Sequence, residues 1–250
     1  MTRFHIIATI ALLVCVLAVV FGKLVLCTVV IVTLLVVIGF GVAFPQMSLF
    51  GRFVCRGGNS RRCVALTFDD GPDARSTPAL LDLLQEERVP AAFFCIGQRV
   101  EVERDLAARI VREGHLLENH SYAHSNLTNF FGFVRLRAEL ERTQSAIREA
   151  TGVTPKLFRP PMGLSNPRVF RAAGALRLTV VGWSARGLDT MLTEPERIVA
   201  HLVRRLEPGA ILLLHDGNIP AERLVVTVRL LLAILHERGY ELVRLDKMLK

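Results

Sequence analysis

The chain has 250 residues, 51% of them hydrophobic, and a formal net charge of +8 at pH 7. That length accommodates one full-sized domain with an appendage, and a mean hydropathy of +0.40 is high for a chain that is soluble throughout. The basic balance suits anionic lipid headgroups or a phosphate-bearing substrate; nucleic acid is excluded, because no basic stripe is interleaved with aromatics and no finger or helix-turn-helix spacing occurs.

The apolar excess lies at the start. From Ile6 to Phe44 the one charged residue is Lys23. A single helix of that length would be roughly twice a ~30 Å hydrocarbon core, whereas two spans, Ile6–Phe21 and Leu24–Phe44, fit with Gly22-Lys23 at the bend. Residues 1–45 are therefore expected to form a two-helix transmembrane hairpin. The run is far too long for a cleaved signal peptide; a buried core hairpin is the soluble alternative. Arg3 precedes the spans, and Arg52, Arg56, Arg61 and Arg62 follow them. Positive flanks stay cytoplasmic, so a hairpin predicts an integral membrane protein whose remaining chain lies on the cytoplasmic face. Residues 46–61 form a basic linker, its arginines either touching membrane lipids or solubilising the segment. Cys15, Cys27, Cys55, Cys63 and Cys95 make no CxxC pair, which predicts free thiols, with a Cys55–Cys63 bridge as the alternative in an exported domain.

Beyond the linker, strand-like and helix-like stretches alternate. The expected strands are Val64–Phe68, Ala91–Ile96, His115–Glu118, Lys156–Arg159, Leu178–Trp183, Ala210–His215 and Glu241–Leu245. The expected helices are Pro78–Arg88, Val100–Glu113, Val134–Ala150, Pro167–Ala173, Glu194–Leu206 and Ala221–Arg238, the first capped by Thr77 with Pro78 at its first position. Gly114, Gly152, Gly174, Gly209 and Gly239 follow helices as C-caps do. Seven strands alternating with six helices predict an α/β domain with a parallel sheet, open or closed into a barrel, over residues 62–250.

In such folds the strand C-termini share one face. The first strand delivers Asp69 and Asp70, and the third is followed by His120 and His124. The fourth ends in Arg159, Asp189 lies beyond the fifth, and the sixth ends in His215 and Asp216. Two imidazoles and one of the two aspartates make a three-ligand site for a divalent ion such as zinc. The other aspartate is then a general base and His215 a general acid, with Arg159 orienting the base and Asp189 the acid. The chemistry is metal-assisted hydrolysis of an acyl group. His115 is read as structural, and His201 and His236 as solvated on helices. Trp183 either lines the acyl pocket or packs the core, and Asn119 either orients a ligand or shapes a turn.

These stretches resemble the polysaccharide deacetylase family, the NodB-homology carbohydrate esterases, over about residues 60–250. Thr67–Pro72 (TFDDGP), Asn119–Thr128 (NHSYAHSNLT), Phe158–Gly163 (FRPPMG) and Ile211–Gly217 (ILLLHDG) are similar to its first, second, third and fifth motifs. The resemblance implies a distorted (β/α)7 barrel, one bound divalent ion (Zn2+, Co2+ or another), and removal of N-acetyl groups from an amino sugar on a glycan or lipid carrier. It implies Asp69 as base, Asp70, His120 and His124 as metal ligands, His215 as acid, and Leu213 lining the acetyl pocket. Two departures stand out. Met162 replaces a usual tyrosine, keeping the backbone N–H of the oxyanion hole but not a ring. Asp189 precedes Thr190 rather than a tryptophan. Both point to a non-polymeric or unusual substrate. Two other functions stay open: a small non-sugar amide as substrate, and an inactive carbohydrate-binding membrane protein.

Overall fold

The computed structural model describes residues 2–58 and 62–249; Arg61 lies outside them. Two helices open the chain, α1 (Arg3–Val20) and α2 (Leu24–Ala43). They double back at Phe21-Gly22-Lys23, where Gly22 has φ +66, a left-handed backbone that a residue without Cβ adopts at no steric cost. At ~1.5 Å per residue each helix is about 27–30 Å long, the thickness of a hydrocarbon core. Thr28 and Thr33 return their hydroxyl protons to the carbonyls of Leu24 and Val29. Of the two helices only Ala18 and Gly41 are buried. A core hairpin would be covered, and this one is not.

After the hairpin the chain runs along the main domain rather than away from it. Leu49, Phe50, Phe53 and Val54 are buried. The Val54 N–H donates to Val180 O at 3.0 Å and Val54 O accepts from the Gly182 N–H at 2.9 Å, while Gly57 N–H donates to Gly209 O. The segment thus acts as an extra stave.

Among the described residues eight parallel strands follow: β1 (Cys63–Asp69), β2 (Ala91–Cys95), β3 (Leu116–Asn119), β4 (Leu157–Phe158), β5 (Thr179–Val180), β6 (Ala185–Arg186), β7 (Ala210–His215) and β8 (Glu241–Leu242). The order is β5-β4-β3-β2-β1-β7-β6, with β8 beside the start of β1. β5 and β6 do not pair with each other; the stave at Val54 and Arg56 bridges β5 to β7. A curled parallel sheet of seven strands with one irregular seam is the expected distorted (β/α)7 barrel.

The helices between are α3 (Thr77–Glu86), α4 (Gly97–Val102), α5 (Arg104–Arg112), α6 (Phe133–Thr151), α7 (Pro167–Ala175), α8 (Pro195–Val203), α9 (Ala221–Glu237) and α10 (Leu245–Met248). Several expectations need correction. The helix expected over Val100–Glu113 breaks at Glu103, whose ψ of 49° is not helical. The strand expected over Leu178–Trp183 is shorter, and β6 is an additional strand. The last strand ends at Leu242, and α10 begins at the residue expected to close it. Gly174 lies inside α7, whereas the other four cap glycines have positive φ. Thr77 is the first residue of α3, capped by Ser76 without a side-chain bond; its hydroxyl is engaged elsewhere.

Strand alternation sorts the side chains. On β1, Leu66 and Phe68 face the helices in the main apolar cluster, and Ala65 points into the barrel. Thr67 and Asp69 share the inward side with Ala65. On β7, Leu212 and Leu214 face outward and Ile211 inward, so Leu213 and His215 follow Ile211 along the inner wall. The barrel interior is apolar at the strand starts and polar at the strand ends.

Candidate active site

β1 and β7 pair without interruption from Val64↔Ala210 to Asp69↔His215. The ladder therefore holds a carboxylate and an imidazole side by side at the same level of the barrel. Asp70 follows at φ +71, a left-handed turn that aspartate tolerates. Below it, Gly71 has no room for a Cβ, because the carboxylate of Asp216 occupies that space.

Asp70 Oδ1 lies 3.4 Å from His120 Nε2 and 3.2 Å from His124 Nε2. It is buried and accepts no hydrogen bond. His120 Nδ1 lies 2.7 Å from the Arg159 carbonyl oxygen. A carbonyl only accepts, so Nδ1 carries the proton and Nε2 presents a lone pair toward Asp70. Burial favours the neutral form of Asp70, but the neighbouring imidazoles, His120 first and then His124 and His215, outweigh it and hold the carboxyl well below the usual range. His124 is lowered by burial and by His120, which keeps it neutral and able to ligate. Burial also opposes charge on His120, yet Asp69 and Asp70 outweigh it and raise that imidazole; acids that attract a proton there attract a cation equally. The three donor atoms lie within 4.8 Å of one another. Lone pairs so close repel unless a cation lies among them, and two imidazoles with a carboxylate suit a divalent ion.

Asp69 is 3% exposed and is held by Arg159, which is fully buried. Arg159 Nη1 donates to Asp69 Oδ1 at 2.6 Å and to Thr67 Oγ1 at 2.9 Å, and Nη2 donates to Gly182 O at 2.8 Å. The guanidinium sits over the Phe94 ring at 4.0 Å. Such a charge-assisted clamp orients the carboxylate and fixes which oxygen is free. Asp69 Oδ2, the free one, lies 3.8 Å from His120 Nε2.

Asp189 is buried and takes both handles of His215: Oδ1 meets Nδ1 at 3.0 Å and Oδ2 accepts from the backbone N–H at 2.7 Å. Burial lowers the imidazole, but Asp189, with Asp69 and Asp70 behind it, wins and raises His215 to about 9. The proton is therefore held at neutral pH, with Nδ1 turned to Asp189 and Nε2 left for chemistry. Arg223 Nη2 in turn donates to Asp189 O at 3.4 Å.

Met162 lies in the tight turn after β4 with φ +58, its side chain exposed. The next residue, Gly163, packs on Trp183 so closely that a Cβ would enter the ring. Trp183 is half-buried, 5.9 Å from the Arg159 guanidinium. Leu213 is buried on the inner wall of β7, two residues before His215. Asn119 shapes the turn after β3: its Oδ1 accepts from Ser121 N–H and its Nδ2 donates to Leu140 O.

Two residues carry contacts that the sequence reading did not assign: Asp216, named there at a strand end without a role, and Asp73, not named at all. Asp216, adjacent to His215, is fully buried, with Oδ2 accepting from Thr77 Oγ1 at 2.6 Å; burial outweighs that bond and pushes it up to about 7. Its backbone oxygen accepts from the Ser76 hydroxyl. Asp73 accepts from Arg75 and from the Asn218 N–H, tying the loop after β1 to the loop after β7. The pairing of TFDDGPD with HDGN was the available signal.

A family profile for polysaccharide deacetylases matches residues 56–181. The chain is 35% identical to a chitooligosaccharide deacetylase of Bradyrhizobium sp. (strain ANU 289), over 72% of this chain and 88% of that protein. It is 33% identical to a peptidoglycan-N-acetylglucosamine deacetylase of Bacillus cereus, over 77% and 90%. Among solved structures, a peptidoglycan N-acetylglucosamine deacetylase superposes with a TM-score of 0.74 at 29% identity, covering 78% of this chain and 92% of that one. A CE4 family pseudoenzyme from Bacillus anthracis also superposes at 0.74, with 26% identity over 80% and 69%. Fold likeness alone therefore does not separate active members from inactive ones; the residues must.

Proposed function

The chain belongs to the polysaccharide deacetylase family, and from that premise we propose how its residues divide the work and where the protein acts. It is a metal-dependent hydrolase that cleaves the carbon–nitrogen bond of an N-acetylated amino sugar. One observation carries the proposal: the Asp70–His120–His124 trio, the Asp69–Arg159 clamp and the Asp189–His215 pair all open on the same end of the barrel.

Asp70, His120 and His124 hold the divalent ion, Zn2+ by its fit to two imidazoles and a carboxylate, with Co2+ a workable substitute. When bound, the ion supplies Lewis acidity, polarising a carbonyl and making water a better nucleophile near neutral pH. Asp69, oriented by Arg159, takes the proton of the attacking water on its free Oδ2. Met162 offers its backbone N–H to the oxygen that gains charge as the carbonyl carbon becomes tetrahedral. His215 delivers its Nε2 proton to the departing amine nitrogen, so that the carbon–nitrogen bond breaks to acetate and a free amine. Leu213 and Trp183 enclose the acetyl methyl.

The apolar hairpin anchors the catalytic domain, residues 62–250, to the cell membrane. Arg3 on one side of the spans and the arginines after them favour the cytoplasmic face. A membrane-held deacetylase facing inward acts on a lipid-linked amino sugar before export. The metal assignment is tested by His120→Ala/His124→Ala, which should lose stoichiometric metal by elemental analysis and acetate release from N-acetylated chito-oligosaccharide. Retention of wild-type metal would overturn it. Sidedness is tested by impermeant-thiol labelling of single surface cysteines in intact cells: protection until lysis is expected, and labelling without lysis refutes the inward face.

A further inference from the structure

At the end of the barrel away from the catalytic residues lies an open cleft of about 1450 Å³. Its floor is made by strand starts and by the stave, and its open apolar surface comes from partly exposed Leu116, Phe170, Leu176 and Leu249 together with exposed Val153. Around it stand Arg52, Lys156 and Arg177, all exposed and without an ion-pair partner among the described residues. The acids of this region are engaged. Glu207 pairs with Arg56 and Asp246 with Arg244, and the Glu118 carboxylate is buried, accepting from the N–H groups of Lys156 and Leu157 at 2.8 Å each. Three cations over an apolar floor are thus left without a counter-charge.

The cleft also has a definite position relative to the hairpin. Arg3 Nη1 donates to Met47 O at 3.2 Å, and Phe4 N–H donates to Leu49 O at 3.0 Å. The Phe4 and Phe50 rings meet edge to face at 5.4 Å. Arg52 is only two residues further, at most about 7 Å of extended chain. It therefore stands at the level of the hairpin's open end, where lipid phosphates lie when the helices span a bilayer.

We propose that this cleft is a binding site for an anionic phospholipid, its phosphate held by Arg52, Lys156 and Arg177 and its glycerol and first acyl carbons lying on the apolar floor. The placement of this site at a lipid surface rests on the hairpin being membrane-embedded, whereas the site itself depends neither on the hairpin nor on the deacetylase chemistry at the other end of the barrel. A soluble phosphate ester would use the cations but leave the floor uncovered; a lipid uses both.

The test uses the full chain in zwitterionic detergent micelles, its thermal unfolding followed while short-chain phosphatidylglycerol, phosphatidylcholine of the same chain length, or inorganic phosphate is added. A ligand that binds only the folded state raises the midpoint. Phosphatidylglycerol should raise it and the other two should not. In Arg52→Gln/Lys156→Gln/Arg177→Gln the apparent affinity should fall about a hundredfold, at about fivefold for each charge, while Arg52→Lys/Arg177→Lys keeps most of it. The neutral variant should unfold at the wild-type midpoint without lipid and release acetate from soluble chito-oligosaccharide at the wild-type rate. An undiminished response in the neutral variant, or an equal response to phosphatidylcholine, overturns the site. An equal response to inorganic phosphate makes it a site for free phosphate instead. Carbonate extraction of cell membranes reads hairpin insertion separately, so a chain that extracts yet binds phosphatidylglycerol in micelles refutes the anchor and leaves the site standing.

Discussion

The two halves of the barrel hold their site residues by different means. In the β1–β7 half the strands are seven and six residues long and pair continuously up to Asp69↔His215. Backbone hydrogen bonds of the ladder bring those two residues level with each other. In the β4–β6 half each strand has two residues, and the seam is closed by the stave. There, position is set by side chains: Arg159 reaches to Asp69, Thr67 and the Gly182 carbonyl, and Asp189 grips His215 twice. In the proposed mechanism the first half supplies reacting groups on a rigid frame. The second supplies the groups that orient and charge them, and they hold the frame shut as they do so.

That contrast makes unequal demands on substitutions. The largest effect on rate alone should come from His215→Asn. It removes the proposed proton donor but keeps the backbone N–H that Asp189 accepts, so acetate release should fall about 10²–10⁴-fold with metal content and unfolding midpoint nearly unchanged. A matching loss of stability would break the comparison. Arg159→Met should damage both properties. It leaves Asp69 buried without its counter-ion, which costs about 3–5 kcal/mol by chemical denaturation, and activity should fall with it. A stable, inactive variant would show that the clamp orients without holding the seam. The smallest effect is expected from Asp189→Asn, read in the pH profile. With His215 raised to about 9, the proton is present below that pH and lost above it. Removing the aspartate charge lowers that pKa toward the ordinary ~6.5 of histidine, so the alkaline limb should move to lower pH and kcat at pH 8 should drop about tenfold. An unmoved alkaline limb would mean that the limb does not belong to His215.

Legibility in the sequence follows the same division. Asp69, Asp70 and His215 close apolar, β-rich runs long enough to be read as strands, so their convergence was visible. His120 and His124 follow β3 in the same way. β6 was invisible because two residues have no pattern of their own; Ala185 and Arg186 are strand only through pairing with Leu212 and Leu213. Asp189 was placed by its position after a strand, yet its grip on the His215 backbone is a tertiary fact. Thr77 was expected to cap its helix, but a buried Asp216 takes its hydroxyl. Short strands, caps and buried acids are decided by partners far away in sequence, and local propensity is silent about them.

The stave has a mechanical consequence. Val54 shares backbone hydrogen bonds with Val180 and Gly182, and four residues earlier Phe50 is packed against Phe4 at the root of the hairpin. No slack remains between hairpin and barrel. With the hairpin in a bilayer, the catalytic mouth works at one height and one tilt above the lipid, like a tool on a fixed post rather than a weight on a string. Lengthening the chain between Phe50 and Phe53 would free the barrel to swing, widening the range of sugars it reaches while loosening the seam that shapes its site.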